Sequence, residues 1–137
     1  MQLSARNQFE GTVSNINKGA VNGIVTLDID GSAITATISL GSIESLGLTV
    51  GSKATAIIKA TEVMIGVGAM KLSARNQLAG KISGIQEGAV NAIVTVAVSQ
   101  SINVSATISM ASVKALELAV GKDVVAVIKA TSVIIGC

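Results

Sequence analysis

Apolar and polar residues alternate with a period of two along much of the chain, the pattern of half-buried β-strands. From Leu3 to Asn17, the residues Leu3, Ala5, Asn7, Phe9, Gly11 and Val13 share one face, and Ser4, Arg6, Gln8, Glu10 and Thr12 the other. Gly11 in mid-run predicts a bend or a bulge. Asn17-Lys18-Gly19 predicts a turn, Val21 to Ile29 a second strand, Asp30-Gly31 a hairpin and Ala33 to Ser39 a third strand. Then the period changes. Gly41 to Leu46 predicts a short helix that turns Ile43 and Leu46 to the core, with Leu48 following and Gly47 as a left-handed cap. Lys53 to Ile65 predicts a last strand or strand pair, apolar on both faces and so covered on both.

The whole pattern is written twice. Leu3-Ser4-Ala5-Arg6-Asn7-Gln8 returns letter for letter as Leu72 to Gln77, and Gly19-Ala20-Val21-Asn22 as Gly88 to Asn91, both 69 positions later. Ala36-Thr37-Ile38-Ser39 returns as Ala106 to Ser109, and Ile58-Lys59-Ala60-Thr61 as Ile128 to Thr131, both 70 positions later. A one-residue slip between blocks belongs in a loop, where a length change costs least. The chain is a tandem duplication: a first domain over residues 1–66, a linker over 67–70 and a second domain over 71–137. In the second copy Gln100-Ser101 marks the hairpin and Ser112 to Leu118 the helix, which has Glu117 where the first copy has Gly47. That second cap is expected to be the weaker. The order of strands and helix predicts an all-β chain of two tandem OB-like small β-barrels, each with one short helix. An SH3-like barrel or a small sandwich fits the pattern nearly as well.

Composition narrows the function. A unit of about 70 residues buries too little surface to be robust alone. With no His and Cys137 the only Cys, no disulfide framework or Cys/His zinc site supplies the difference within one chain. Fifty per cent hydrophobic with only 13% charged leaves apolar surface to be hidden between subunits, so a homo-oligomer is expected. Phe9 is the only aromatic residue and the net charge is +2. Both weigh against nucleic acid, which needs stacking platforms and a basic surface. No apolar run reaches membrane-spanning or signal-peptide length, and a cytoplasmic location is the expectation. No imidazole, no paired carboxylates and no glycine-rich phosphate loop offer a catalytic centre. The expectation is a binding protein, not an enzyme.

Few polar groups are kept in both copies. Ser4 and Arg6, like Ser73 and Arg75, stand two apart on one predicted strand face, while Asn7 and Asn76 point the other way and read as structural. Lys59 and Lys129 interrupt an apolar strand. Ser39 with Ser42, and Ser109 with Ser112, bracket a helix start, where backbone N–H groups are unpaired. Hydroxyls, a helix start, an Arg and a Lys suit one small oxyanion. Each also has a plainer reading. The serines fit helix caps, the arginines exposed strand charges, the lysines edge-strand guards, and Asn22 and Asn91 turn residues. A duplicated structural or protein-interaction module with no small-molecule ligand is the alternative.

In this order the blocks Ser-Ala-Arg-Asn-Gln, Gly-Ala-Val-Asn, Ala-Thr-Ile-Ser and Ile-Lys-Ala-Thr resemble the molybdate-binding Mop domain, also called the molbindin or TOBE-type domain, in its two-repeat form. The likeness covers nearly the whole chain. It implies an OB-like fold, trimeric assembly, oxyanion sites between subunits, and a role in intracellular molybdate or tungstate storage and homeostasis. Carried over position by position, it places oxyanion ligands at Ser4, Arg6, Ser39, Ser42, Lys59 and Ala60, and at Ser73, Arg75, Ser109, Ser112, Lys129 and Ala130. The alanines would contribute backbone N–H. Second-tier ligands fall on Gly19, Ala20, Val21 and Asn22, and on Gly88, Ala89, Val90 and Asn91. The resemblance implies no cofactor and no metal other than as its oxyanion. Without a helix-turn-helix or a transporter ATPase segment in these residues, the expectation is neither the regulator nor the transporter version.

Overall fold

The computed structural model describes all 137 residues. The first copy forms β1 (Asn7–Lys18), β2 (Asn22–Ile29), β3 (Ser32–Ser39), helix α1 (Leu40–Ser45), β4 (Lys53–Ile58), a 3-10 turn (Ala60–Glu62) and β5 (Met64–Gly66). The second forms β6 (Asn76–Glu87), β7 (Asn91–Ala97), β8 (Asn103–Ser109), helix α2 (Met110–Ala115), β9 (Asp123–Ile128), a 3-10 turn (Ala130–Ser132) and β10 (Ile134–Gly136). The chain is mostly β, as the alternation requires, with two five-stranded sheets and two short helices.

The sheets do not follow the repeats. Their strand orders are β10-β4-β1-β2-β3 and β5-β9-β6-β7-β8. Each repeat therefore gives its last strand to the other's sheet. β10 pairs with β4 through Ile134 opposite Ile57, and β5 with β9 through Met64 opposite Val127. The main core follows the exchange: one cluster of 21 buried residues joins Phe9, Val25, Leu27 and Ile34 to Leu78, Val104, Ile128 and Ile135. A smaller cluster around Ile82, Val94, Val96 and Val113 draws its buried residues from the second repeat, with Ile65 of β5 packed against it. A unit of about 70 residues, short of core by itself, is completed here by its twin.

Two expected strands are shorter than the alternation suggested. β1 begins at Asn7, so Leu3 to Arg6 lie outside it. The cause is local: Gln8 Nε2 donates to the carbonyls of Leu3 (3.1 Å) and Ala5 (2.9 Å), folding that segment back. Gln77 does the same with Leu72 (3.2 Å) and Ala74 (2.9 Å). The run from Lys53 to Ile65 breaks after Ile58, because the amides of Glu62 and Val63 turn back to the carbonyls of Lys59 (2.9 Å) and Ala60 (3.3 Å). Lys59 thus stands between a strand and a 3-10 turn rather than inside a strand. The second helix starts at Met110, two residues before the expected Ser112, and ends at Ala115 rather than Leu118.

The bulge falls three residues beyond Gly11, where the register shifts between Val13 and Asn15, and in the second copy between Ile82 and Gly84. Gly11 and Gly80 serve a close approach instead: a Cβ on either would meet the backbone carbonyl of Asp28 or Ala97 on the neighbouring strand. Asp30 and Gly31 both take positive φ, 50° and 89°, as their hairpin requires. Gly47 closes α1 at φ 62°, and Glu117 adopts the same left-handed backbone at φ 52° without glycine's freedom. Lys122 answers that cost. Its Nζ donates to the last-turn carbonyls of Leu116 (2.6 Å) and Glu117 (3.2 Å). The equivalent carbonyl of α1, that of Leu46, accepts from the exposed thiol of Cys137 at 3.6 Å.

Candidate functional site: two matched cationic clefts

Strand register dictates where the charged residues meet. Asn7 lies opposite Ile58 and Asn76 opposite Ile128. The segment entering β1 and the segment leaving β4 therefore emerge side by side, and Arg6 comes next to Lys59. Arg75 comes next to Lys129 in the same way. Asn7 then draws in the other repeat. Its Nδ2 donates to the carbonyls of Ile58 (3.2 Å) and Ser105 (2.8 Å), and its Oδ1 accepts from the amide of Ser105 (2.8 Å). Asn76 makes the matching pair with Thr35, at 2.8 Å in both directions. Both side chains are almost fully buried, 1% and 2% exposed. The expected structural role of these asparagines takes a specific form: they hold the rim strands β8 and β3 over the clefts.

The result is one cleft per repeat, each shared with the other repeat. A cleft of about 460 Å³ is lined by Ser4, Arg6, Lys59, Ala60 and Thr61, with Thr107 from β8 and Ile134 from β10. Its counterpart of about 550 Å³ is lined by Ser73, Arg75, Lys129, Ala130 and Thr131, with Thr37 from β3 and Met64 from β5. Neither lining contains a carboxylate. Arg6, Lys59, Arg75 and Lys129 are all exposed and none is in an ion pair, the single pair in the chain being Lys81 with Asp123 at 2.7 Å. Two unpaired cations, a serine and two threonines therefore face each open space. That set can donate to a small anion from several sides and itself carries no negative charge. His, Cys, Asp and Glu side chains nowhere gather in threes as a metal-ion site would require, and no helix is long and apolar enough to cross a membrane.

The remaining candidates stand elsewhere. Ser39 caps α1: its Oγ accepts from the amide of Ser42 (3.1 Å) and donates to Ser42 Oγ (2.9 Å). Ser109 and Ser112 repeat this on α2, at 3.0 and 2.9 Å. The capping reading thus describes what these serines do within the chain, and none of the four lines either cleft. The hydroxyl hydrogens of Ser42 and Ser112 have no acceptor within the chain. The Gly19–Asn22 turn lies beside this helix start, with the Val21 carbonyl accepting from the Leu40 amide at 3.0 Å and Asn22 opposite Ser39. In the second copy Val90 accepts from Met110 at 2.8 Å. Ala20, Val21, Ala89 and Val90 are exposed on these turns. Arg6 links the two groups, for it also lines a space of about 330 Å³ with Gly88, Asn91 and Thr107.

Sequence reasoning passed over four cleft hydroxyls: Thr37, Thr107, Thr61 and Thr131. The signal was present, since all four lie in blocks repeated at the 70-residue spacing. What no local pattern gives is the packing of one repeat on the other, through Asn7 with Ser105 and Asn76 with Thr35, that carries Thr107 to Arg6 and Thr37 to Arg75.

Comparison with known proteins agrees along the whole chain. The TOBE domain model matches residues 3–65 and again 72–135. The molybdenum transport protein ModE of Herbaspirillum seropedicae is 38% identical over an alignment of 138 positions that covers 98% of this chain and 51% of that protein. The chain thus spans about half the length of such relatives. A probable molybdenum-pterin-binding protein of Haemophilus influenzae is 54% identical over 68 residues, 49% of this chain and 99% of its own. Among solved structures, the cytoplasmic molybdate-binding protein ModG, with molybdate bound, superimposes with a TM-score of 0.95 at 40% identity, covering 99% of both chains. The domain model accounts for both copies, so the chain belongs to the TOBE domain family and carries the domain twice in tandem.

Proposed function

We propose that the chain binds molybdate, or its close analogue tungstate, and serves to store and buffer that anion inside the cell. The observation that carries this reading is the matched pair of clefts, each with an unpaired Arg and Lys beside hydroxyl donors and no carboxylate. The ModG likeness supports it, since that molybdate-bound protein matches this chain from end to end. Molybdate is a tetrahedral dianion that hydrogen bonds alone can hold. Arg6 and Lys59 supply charge and donors, Ser4 and Thr107 supply hydroxyls, and Ala60 would add its backbone N–H; Ser73, Arg75, Lys129, Ala130 and Thr37 do the same in the other cleft. The reading is retention, not catalysis: charge and hydrogen bonds hold the anion, and no bond of it is made or broken. Neither nucleic acid nor a membrane is a partner in it. Sulfate has the same charge and shape, so selection rests on the size of the closed site.

The sites are completed in a homotrimer. Ser39 and Ser42, with Ser109 and Ser112, lie apart from the clefts within one chain, beside turns whose Val21 and Val90 are 73% and 74% exposed. A neighbouring subunit would cover those valines and bring the helix starts to the anion, so that ligand and assembly stabilise one another. Isothermal titration with molybdate, tungstate, sulfate and phosphate tests the reading. Molybdate and tungstate are expected to bind well below millimolar concentration and the other two far more weakly. No molybdate or tungstate binding below about millimolar concentration, which corresponds to only about 4 kcal/mol, would sink it. The particle mass by light scattering should be three times the 13.7 kDa chain; a monomer would remove the shared-site part.

A further inference from the structure

The two clefts match in their cations but not in what surrounds them. In the second repeat, Thr107 stands opposite Ile93, Gln86 opposite Ile93, and Glu87 opposite Ala92. Glu87 and Arg6 line one space with Thr107. The first repeat has the same register: Thr37 opposite Ile24, Asn17 opposite Ile24, and Lys18 opposite Gly23. Thr37 shares the cleft of Arg75. Lys18 therefore holds, relative to Arg75, the place that Glu87 holds relative to Arg6. Both residues are exposed and outside the single ion pair of the chain. Glu62, the remaining acid near the clefts, accepts from Ser132 Oγ at 3.1 Å where the two 3-10 turns meet. It directly follows Thr61 of one cleft and bonds to the residue that follows Thr131 of the other.

We infer that the two clefts bind their anions with unequal strength, and that Lys18 and Glu87 set the difference. The inference rests on the oxyanion reading above and assigns to two residues outside the ligand set the tuning of otherwise duplicate sites. The swap changes the local charge by two, from a carboxylate near Arg6 to an ammonium near Arg75. Acting on a dianion across roughly one Debye length of partly aqueous surface, such a change is worth roughly five- to tenfold in affinity. The cleft of Arg75 is the stronger. Duplication thus gives one chain a tight and a looser site, and a buffer with two set points covers a wider concentration range than one with two equal sites. The clefts also differ in size, about 550 against 460 Å³, with Met64 and Val127 where the smaller has Ile134 and Ile57. Charge substitutions separate the two causes.

The test is molybdate titration of the full chain as wild type, Glu87→Lys and Lys18→Glu, at low salt and in about 0.5 M chloride, where the Debye length falls to about 4 Å. The wild type should show two classes of sites in equal number. Glu87→Lys should strengthen the weaker class until the two merge, and Lys18→Glu should weaken the stronger class until they merge. High salt should shrink both effects. A wild-type isotherm with one class of sites, or two classes that neither substitution moves, would overturn the inference while leaving the oxyanion reading in place. Absence of molybdate binding to the wild type would overturn both.

Discussion

Asn7→Ala should destabilise the chain by about 2–4 kcal/mol, and Asn76→Ala by a similar amount. Each asparagine uses its amide as a piece of backbone. Asn7 gives a donor and an acceptor to Ser105 on β8, a strand at the open edge of its sheet, and Asn76 does so for Thr35 on the edge strand β3. Alanine leaves the polar edge of a partly buried partner strand without its pair, where water replaces the lost bonds only in part. Asn7→Asp should be no better: it keeps the acceptor for the Ser105 amide but turns the donor toward Ile58 and Ser105 carbonyls into a repelling oxygen. Urea unfolding followed by circular dichroism reads the effect. The double alanine variant removes about 4–8 kcal/mol, a large share of the 5–15 kcal/mol typical of a domain, and is expected to lose the folded state near body temperature. A loss below about 1 kcal/mol per site would show that the seam is held by packing alone.

Lys59→Ala and Lys129→Ala should each weaken molybdate binding at their own cleft by roughly 10- to 100-fold, the worth of one charge-assisted hydrogen bond, and leave the fold intact. Both ammonium groups are exposed and make no contact that the folded chain depends on. Thermal melting should therefore stay within a few degrees of wild type while the titration loses one class of sites. The paired outcome separates a ligand from a scaffold residue. Unfolding with either substitution would favour the edge-guarding role for lysine, and unchanged affinity would remove Lys59 and Lys129 from the site.

Much of this was legible in the residues. The duplication, the alternation of β1 and β2, the Asp30-Gly31 hairpin, the helix after Ser39 and the left-handed Gly47 all depend on local chemistry and are found where that chemistry puts them. Arg6 and Lys59 both recur in the second copy, and the register of β1 on β4 brings them to one cleft. Three things were out of reach. The side-chain ties from Gln8 and Gln77 that stop the strands short compete with an alternation that continues past them. The pairing partners of β5 and β10 cannot be read, because Met64-Ile65-Gly66 and Ile134-Ile135-Gly136 suit β4 and β9 equally well. The further contacts between repeats, among them Asn7 with Ser105, Asn76 with Thr35 and the two cleft threonines, depend on how the two units pack, which no local pattern records. The helix-start serines are kept in both copies as the cations are, yet one chain holds the two sets apart.

Anomalous diffraction at the molybdenum edge, on crystals of the full chain grown with molybdate, tests the central claim most directly. Peaks are expected in both clefts, one within hydrogen-bonding distance of Arg6 and Lys59 and the other of Arg75 and Lys129, with the helix-start serines reaching the anion from an adjacent subunit. Molybdenum bound only at sites remote from all four cations, or empty clefts at saturating molybdate, would contradict it.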